Sequence, residues 1–145
     1  MRFLPGKETE EYLEGIVYRD TQIKDDGVDL TVAKIFEPEN RGEIDFGGSE
    51  RSDAEISEIK PRLRNPKDDY GWWELEPGFY LISYNESFKT KRKAFLQPLP
   101  RLTRNQAIHT SGFLTKLTLI PLYVGENGMA IKENSRVSRI YMFEG

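Results

Sequence analysis

Residues 73–86 read WELEPGFYLISYNE, and this stretch decides the fold class. Pro77-Gly78 is a turn dipeptide. After it, Phe79–Tyr84 is a run of aromatic and aliphatic side chains, the composition of a β-strand. Before it, Trp72–Leu75 opens the denser half of the chain. The reading is therefore strand and turn, with no helical period.

Working outward, the same grammar repeats. Toward the C-terminus, Ala107–Thr110 predicts a short strand, and Phe113–Val124 (FLTKLTLIPLYV) alternates apolar and polar residues until Pro121. Gly125–Gly128 is a tight turn, and Met129–Ile131 and Val137–Phe143 are closing strands. Pro98 and Pro100 argue against a regular central strand over Leu96–Leu102. Toward the N-terminus, Gly27–Phe36 (GVDLTVAKIF) reads as a strand, Gln22–Asp26 as a polar turn and Ile16–Tyr18 as a short strand. Lys7–Leu13 is the one early helix, with Gly15 as its stop. Glu37–Tyr70 is polar and punctuated by proline and glycine. Within it Glu43–Phe46 and Ile56–Ile59 predict short strands, since loops of that length are uncommon without structure or function of their own. Many short strands with Gly/Pro turns predict an all-β sandwich or barrel with at most short helices. The expected interior includes Leu81, Leu117, Leu119, Ile140 and Met142.

Composition narrows the function. The 145 residues suit one domain over 1–145. The 17 aromatic residues can build a core despite 31% charged residues. There is no cysteine, so disulfides, thiolate metal sites and cysteine nucleophiles are excluded. There is one histidine, His109, so a multi-histidine metal site is excluded as well. A net charge of −3 argues against a strongly basic nucleic-acid binder. No apolar run approaches the ~18 residues of a membrane span, and the N-terminus has no apolar signal core. The expectation is a soluble, cytoplasmic protein.

Motifs with strong signatures are missing: no Walker loop, GxGxxG, HExxH or GxSxG occurs. Asp29 lies between Val28 and Leu30 in an apolar strand. A carboxylate there must be paired, face solvent or serve a site. The run Lys89-Thr-Lys-Arg-Lys93 suits phosphates or a charged hairpin edge that blocks aggregation. His109 sits between Ile108 and Thr110 with no evident serine partner, which favours a satisfied, half-buried ring. Trp72 and Trp73 supply area for a core or a subunit interface.

Five segments together resemble the dUTPase and dCTP-deaminase superfamily, especially its archaeal members. They are FLPGKE at the start, Gln22–Val32 (Q-x-x-x-x-G-V-D-L-T-V), Gly42–Arg51 (GEIDFGGSER), Trp73–Glu86 and Asn134–Phe143 (NSRVSRIYMF). The resemblance implies a distorted jelly-roll β-barrel and a homotrimer with active sites between subunits. It also implies a deoxynucleotide ligand, with hydrolysis of its triphosphate by a water that an aspartate orients. Mg²⁺ is implied only where that hydrolysis is retained.

The chemistry-bearing segments depart from the family pattern. Where the family has R-S-S-L-x-R-x-G, this chain reads PRLTRNQ, keeping Arg101 and Arg104 without the serine pair. Where the family has D-x-G-aromatic-x-G, it reads Thr110-Ser-Gly-Phe-Leu-Thr115, keeping Gly112 and Phe113 with Thr110 at the aspartate position. No Asp or Glu occurs from Lys93 to Val124. The glycine-rich C-terminal arm of many dUTPases has no counterpart before Gly145. The nucleotide-binding candidates are thus Arg101, Arg104, Gly112 and Phe113. The catalytic candidates are Asp29 and His109, and no metal ligands are assigned. Three readings stand: a dUTPase-related protein with weak or lost hydrolysis, an active hydrolase with atypical residues, and a non-catalytic trimeric interaction protein.

Overall fold

A computed structural model describes residues 2–145. Strands alternate with three short helices. In chain order the elements are α1 (Gly6–Glu10), β1 (Leu13–Glu14), α2 (Arg19–Gln22), β2 (Val28–Pro38), β3 (Ile56–Ile59), β4 (Trp72–Leu75) and β5 (Gly78–Tyr84). There follow β6 (Ser87–Phe88), β7 (Ala94–Pro98), α3 (Pro100–Thr103), β8 (Ala107–His109), β9 (Gly112–Leu114), β10 (Ile120–Val124), β11 (Met129–Lys132) and β12 (Arg136–Met142). The expected all-β class with only short helices is what the chain adopts.

The main sheet runs β8-β10-β5-β2-β12-β7-β9, with β3 added on β2. Its pairings are antiparallel. It curls into a half barrel, and two-stranded ribbons β1-β6 and β4-β11 complete it. Strand β2 is the spine, pairing with β12 over Val28–Thr31 and with β5 over Val32–Phe36, with a register shift between Val32 and Lys34. A Cβ at Gly27 would lie 2.7 Å from the Ile140 carbonyl oxygen, so only glycine lets β2 start this close to β12. The core is built from Val28, Leu30, Ile35, Ile82, Leu96 and Ile140, each at most 1% exposed.

Several expectations are corrected. The early helix stops at Glu10, and Leu13 enters β1 opposite Phe88. Ile16–Tyr18 is not a strand, because the Gln22 side-chain oxygen takes the Val17 and Tyr18 N–H groups. The supposed polar turn instead begins inside α2. Glu43–Phe46 makes one isolated bridge, Glu43 to Ser52. Phe113–Val124 is two strands, β9 and β10, on different parts of the sheet. Strand β7 is paired on both sides, by β12 and β9. The prolines permit this because Pro98 is its last residue and Pro100 opens α3, where a missing N–H costs nothing.

Ile140 and Met142 are buried as expected, but Leu81 and Leu117 are half-buried and Leu119 is exposed. The strands alternate as the sequence predicts, but on β5 in the opposite phase. Tyr80 and Ile82 face inward on β5, and they pair with Leu122 and Ile120 of β10.

Candidate functional site

Three of the five segments that carry the family resemblance, Gln22–Val32, Trp73–Glu86 and Asn134–Phe143, meet in one buried polar knot. Gln22 is 1% exposed and uses both ends of its amide. Its oxygen accepts from Val17 and Tyr18, so its nitrogen is fixed as the donor to the Asp29 carbonyl and the Glu86 carboxylate, each at 2.8 Å. Glu86 also accepts from the Thr31 N–H at 2.8 Å and the Thr31 hydroxyl at 2.7 Å. Asn85 donates to Thr31 Oγ1 and to Asn134 Oδ1. Burial pushes the Glu86 carboxyl above its ordinary range, while the Thr31 and Gln22 donors pull the other way. Sequence reasoning left Gln22, Thr31 and Glu86 without a role; Thr31 alone stands inside an apolar run, while Gln22 and Glu86 lie among polar neighbours that give no local signal.

Asp29 is fully buried in the middle of β2, and it is paired. Arg139 Nε donates to Oδ1 at 2.7 Å, and Arg136 Nη1 donates to Oδ2 at 2.8 Å. Both arginines come from β12, and Arg139 lies directly across the ladder from Asp29. Each carboxylate oxygen therefore has a charge-assisted donor. Two cations on one anion leave the cluster a net positive charge.

His109 does have a serine partner, contrary to the sequence reading. Its Nδ1 lies 2.7 Å from the Thr110 carbonyl oxygen, which can only accept, so Nδ1 carries the proton. In the neutral ring Nε2 is then the acceptor, and the Ser138 hydroxyl donates to it at 2.7 Å. Ser138 in turn accepts from the Tyr84 hydroxyl at 2.5 Å. The relay runs Tyr84 to Ser138 to His109 and ends on backbone. His109 and Ser138 are buried. Burial pushes the His109 pKa below its ordinary value, opposed by the Thr110 carbonyl, and pushes the Tyr84 hydroxyl upward. Both nitrogens of His109 are occupied within this relay.

A cleft of about 260 Å³ opens between α3, β11 and the start of β12. Arg101, Lys132 and Arg136 line it as cations, with Trp72, Asn105 and Ser135. Trp72 is stacked by the Arg64 guanidinium, 3.7 Å from the ring centroid. An aromatic wall with three cationic groups suits a ligand that carries a ring and phosphates. The cleft brings Arg101 beside Arg136, the partner of Asp29. Arg104 at the end of α3 does not line it. Gly112 and Phe113 do not either; they sit on edge strand β9, where Phe113 packs on Phe95 and Phe143.

These residues do not fit a resident Mg²⁺. Both oxygens of Asp29 are held by arginines, and among the described residues no group of three or more His, Cys, Asp or Glu side chains converges at ligating distance. Among the same residues no helix is long and apolar enough to cross a membrane.

No protein-family model matches the chain. It is 28% identical over 138 residues to a "Probable deoxyuridine 5'-triphosphate nucleotidohydrolase" of Methanosarcina mazei, covering 90% of this chain and 77% of that protein. The protein of the same name from Methanosarcina acetivorans is 28% identical over 142 residues, covering 93% and 80%. Among solved structures, the 2'-deoxycytidine 5'-triphosphate deaminase of Agrobacterium tumefaciens superposes with a TM-score of 0.64 at 12% identity. That match covers 96% of this chain and only 47% of the deaminase chain, and it speaks to the fold.

Proposed function

We propose that the chain is a distant relative of the dUTPases within the dUTPase/dCTP deaminase superfamily, that it binds a deoxyuridine or deoxycytidine nucleotide, and that it hydrolyses dUTP weakly or not at all. The observation that carries this reading is Asp29, whose two carboxylate oxygens are both held by arginines of β12. Arg139 closes off one of those oxygens. A water attacking a triphosphate needs a base, and a positioned base is worth about 10²–10⁴-fold in rate. No carboxylate between Lys93 and Val124 replaces it, and the buried His109 relay points inward.

Phosphate binding does not need that base. In this reading Arg101, Lys132 and Arg136 hold the phosphates in the cleft beside Trp72. Arg104, Gly112 and Phe113 would reach the nucleotide only across a subunit boundary, in a homotrimer. Mg²⁺ would enter with the nucleotide rather than reside on the protein.

The test is calorimetric titration with dUTP and dCTP, with and without Mg²⁺, alongside pyrophosphate release. We expect binding that Arg101→Ala weakens about tenfold or more, the loss of one charge-assisted bond. Turnover of dUTP should fall at least ~10²-fold below about 1 s⁻¹. Turnover near ~1 s⁻¹ that Asp29→Asn abolishes would establish an active hydrolase instead.

A further inference from the structure

The polar segment after β2 forms a projecting hairpin. From Glu37 to Asp53 every residue except Asp45 is exposed, yet the backbone is tied. Pro38 pairs with Ile56 at the base, Glu43 and Ser52 exchange hydrogen bonds at 2.6 and 2.9 Å, and the Asp45 carboxylate accepts from the Gly48 and Glu50 N–H groups. Pro38 to Asp45 reaches roughly 20 Å at strand rise. At the tip stand Ile44, 89% exposed, and Phe46, fully exposed. An ordered tip that presents two large apolar side chains together is an interaction device.

The opposite feature lies on the same chain. Phe3, Tyr141, Phe143 and Phe113 form an aromatic row, Phe3 and Phe113 exposed and Tyr141 and Phe143 half-buried, with ring centroids 5.0–5.8 Å apart. Beside Phe143 a cleft of about 380 Å³ is walled by Lys91, Arg92 and Lys93, with Glu144 and Gly145 on its other side; the Glu144 carboxylate is taken by Arg2. Arg92 is spent on the Phe143 carbonyl and the Tyr12 ring. Lys91 and Lys93 have no carboxylate partner among the described residues. The hairpin, by contrast, carries eight carboxylates against two arginines between Glu37 and Glu58.

We propose that the hairpin tip of one copy docks in the basic-rimmed aromatic cleft of a second copy, with Phe46 against Phe143 and the hairpin acids facing Lys91 and Lys93. The occupant is a second copy because the acidic hairpin and the basic cleft are complementary in charge and both are present on every chain. Such a contact is head-to-tail, with different surfaces on the two partners, and it closes into a ring when the rotation permits. The proposal rests on the self-association in the homotrimer reading and names the surfaces that hold it.

The absence of cysteine makes the test clean. Phe46→Cys and Lys91→Cys chains are prepared separately, mixed and oxidised with diamide. A covalent species at twice the 16.8 kDa chain mass, formed in the mixture and in neither variant alone, is the expected result. Sedimentation of Phe46→Asp should give monomer that keeps the wild-type far-UV circular dichroism, since the tip packs on nothing in its own chain, and Phe46→Leu should restore assembly. A trimer that survives Phe46→Asp overturns the docking and leaves the homotrimer standing; a monomeric wild type overturns both. Cross-linking of Phe46→Cys with itself alone would mean a tip-to-tip contact and would also overturn it. So would wild-type binding of a fluorescent oligothymidylate that Lys91→Glu abolishes while assembly persists, because the cleft would then serve nucleic acid.

Discussion

At the scale of single residues, the acids in the resemblance segments are building elements. Glu86 faces donors at every contact: the Thr31 N–H, the Thr31 hydroxyl and the Gln22 amide nitrogen. A carboxylate suits that set and an amide does not. Glu86→Gln turns an N–H₂ toward a donor, so thermal or urea unfolding should show a loss of about 1–3 kcal/mol. Asp29→Ala removes the shared anion of Arg136 and Arg139, and breaking a buried pair costs about 3–5 kcal/mol. The arginines are partly solvated, which places the loss toward the low end.

The buried histidine sets a pH dependence. Burial lowers its folded pKa below 6.5, while the unfolded chain keeps the ordinary value. Below about pH 6.5 the unfolded state binds the proton that the native state refuses. The histidine's contribution is present above that pH and is lost as pH falls through the folded pKa. Glu86 acts in the opposite sense: its raised pKa contributes stability below 4.5 that is lost as pH rises through the folded value. In unfolding measured from pH 7.5 downward, His109→Gln keeps an acceptor for Ser138 and should flatten the loss that starts near pH 6.5.

At the scale of elements, strand phase decides cost. Leu96 in β7 lies at 1% exposure between β12 and β9, whereas Leu119 is exposed just before β10. Leu96→Ala should cost about 2–5 kcal/mol through the cavity it leaves. Leu119→Ala should stay within about 0.5 kcal/mol. Comparable losses at the two positions in denaturant melts would contradict the observed phase. The single strand read over Phe113–Val124 fails for a related reason. Its period continues across the break, but β9 needs β7 as partner and β10 needs β5.

At the scale of the whole molecule, charge is distributed unevenly around a small net value. The acids gather on the hairpin, while no acid occurs from Lys93 to Val124. Association through these surfaces should weaken with ionic strength, since exposed charges are screened beyond about 10 Å at 0.1 M salt. Sedimentation in 50 mM and 1 M NaCl should show the oligomer fraction falling. The cleft lined by Arg101 and Arg136 lies at the start of β12, away from Phe143, so any nucleotide binding there should be unchanged in the hairpin variants.

The sequence by itself determined the strand-rich class, the positions of most strands, the in-order segments that resemble the superfamily and the missing acids around Thr110. These are local properties: turn residues, β-branched runs and motif spacing are written in neighbours along the chain. Only the tertiary structure decided which face of each strand is inside, because alternation fixes two faces and a one-residue slip exchanges them. It alone decided the fate of Asp29 and His109, since their partners lie 107, 110 and 29 residues away. No local pattern encodes such meetings; they exist because the half barrel lays β12 beside β2 and its curl brings β8 back to β12.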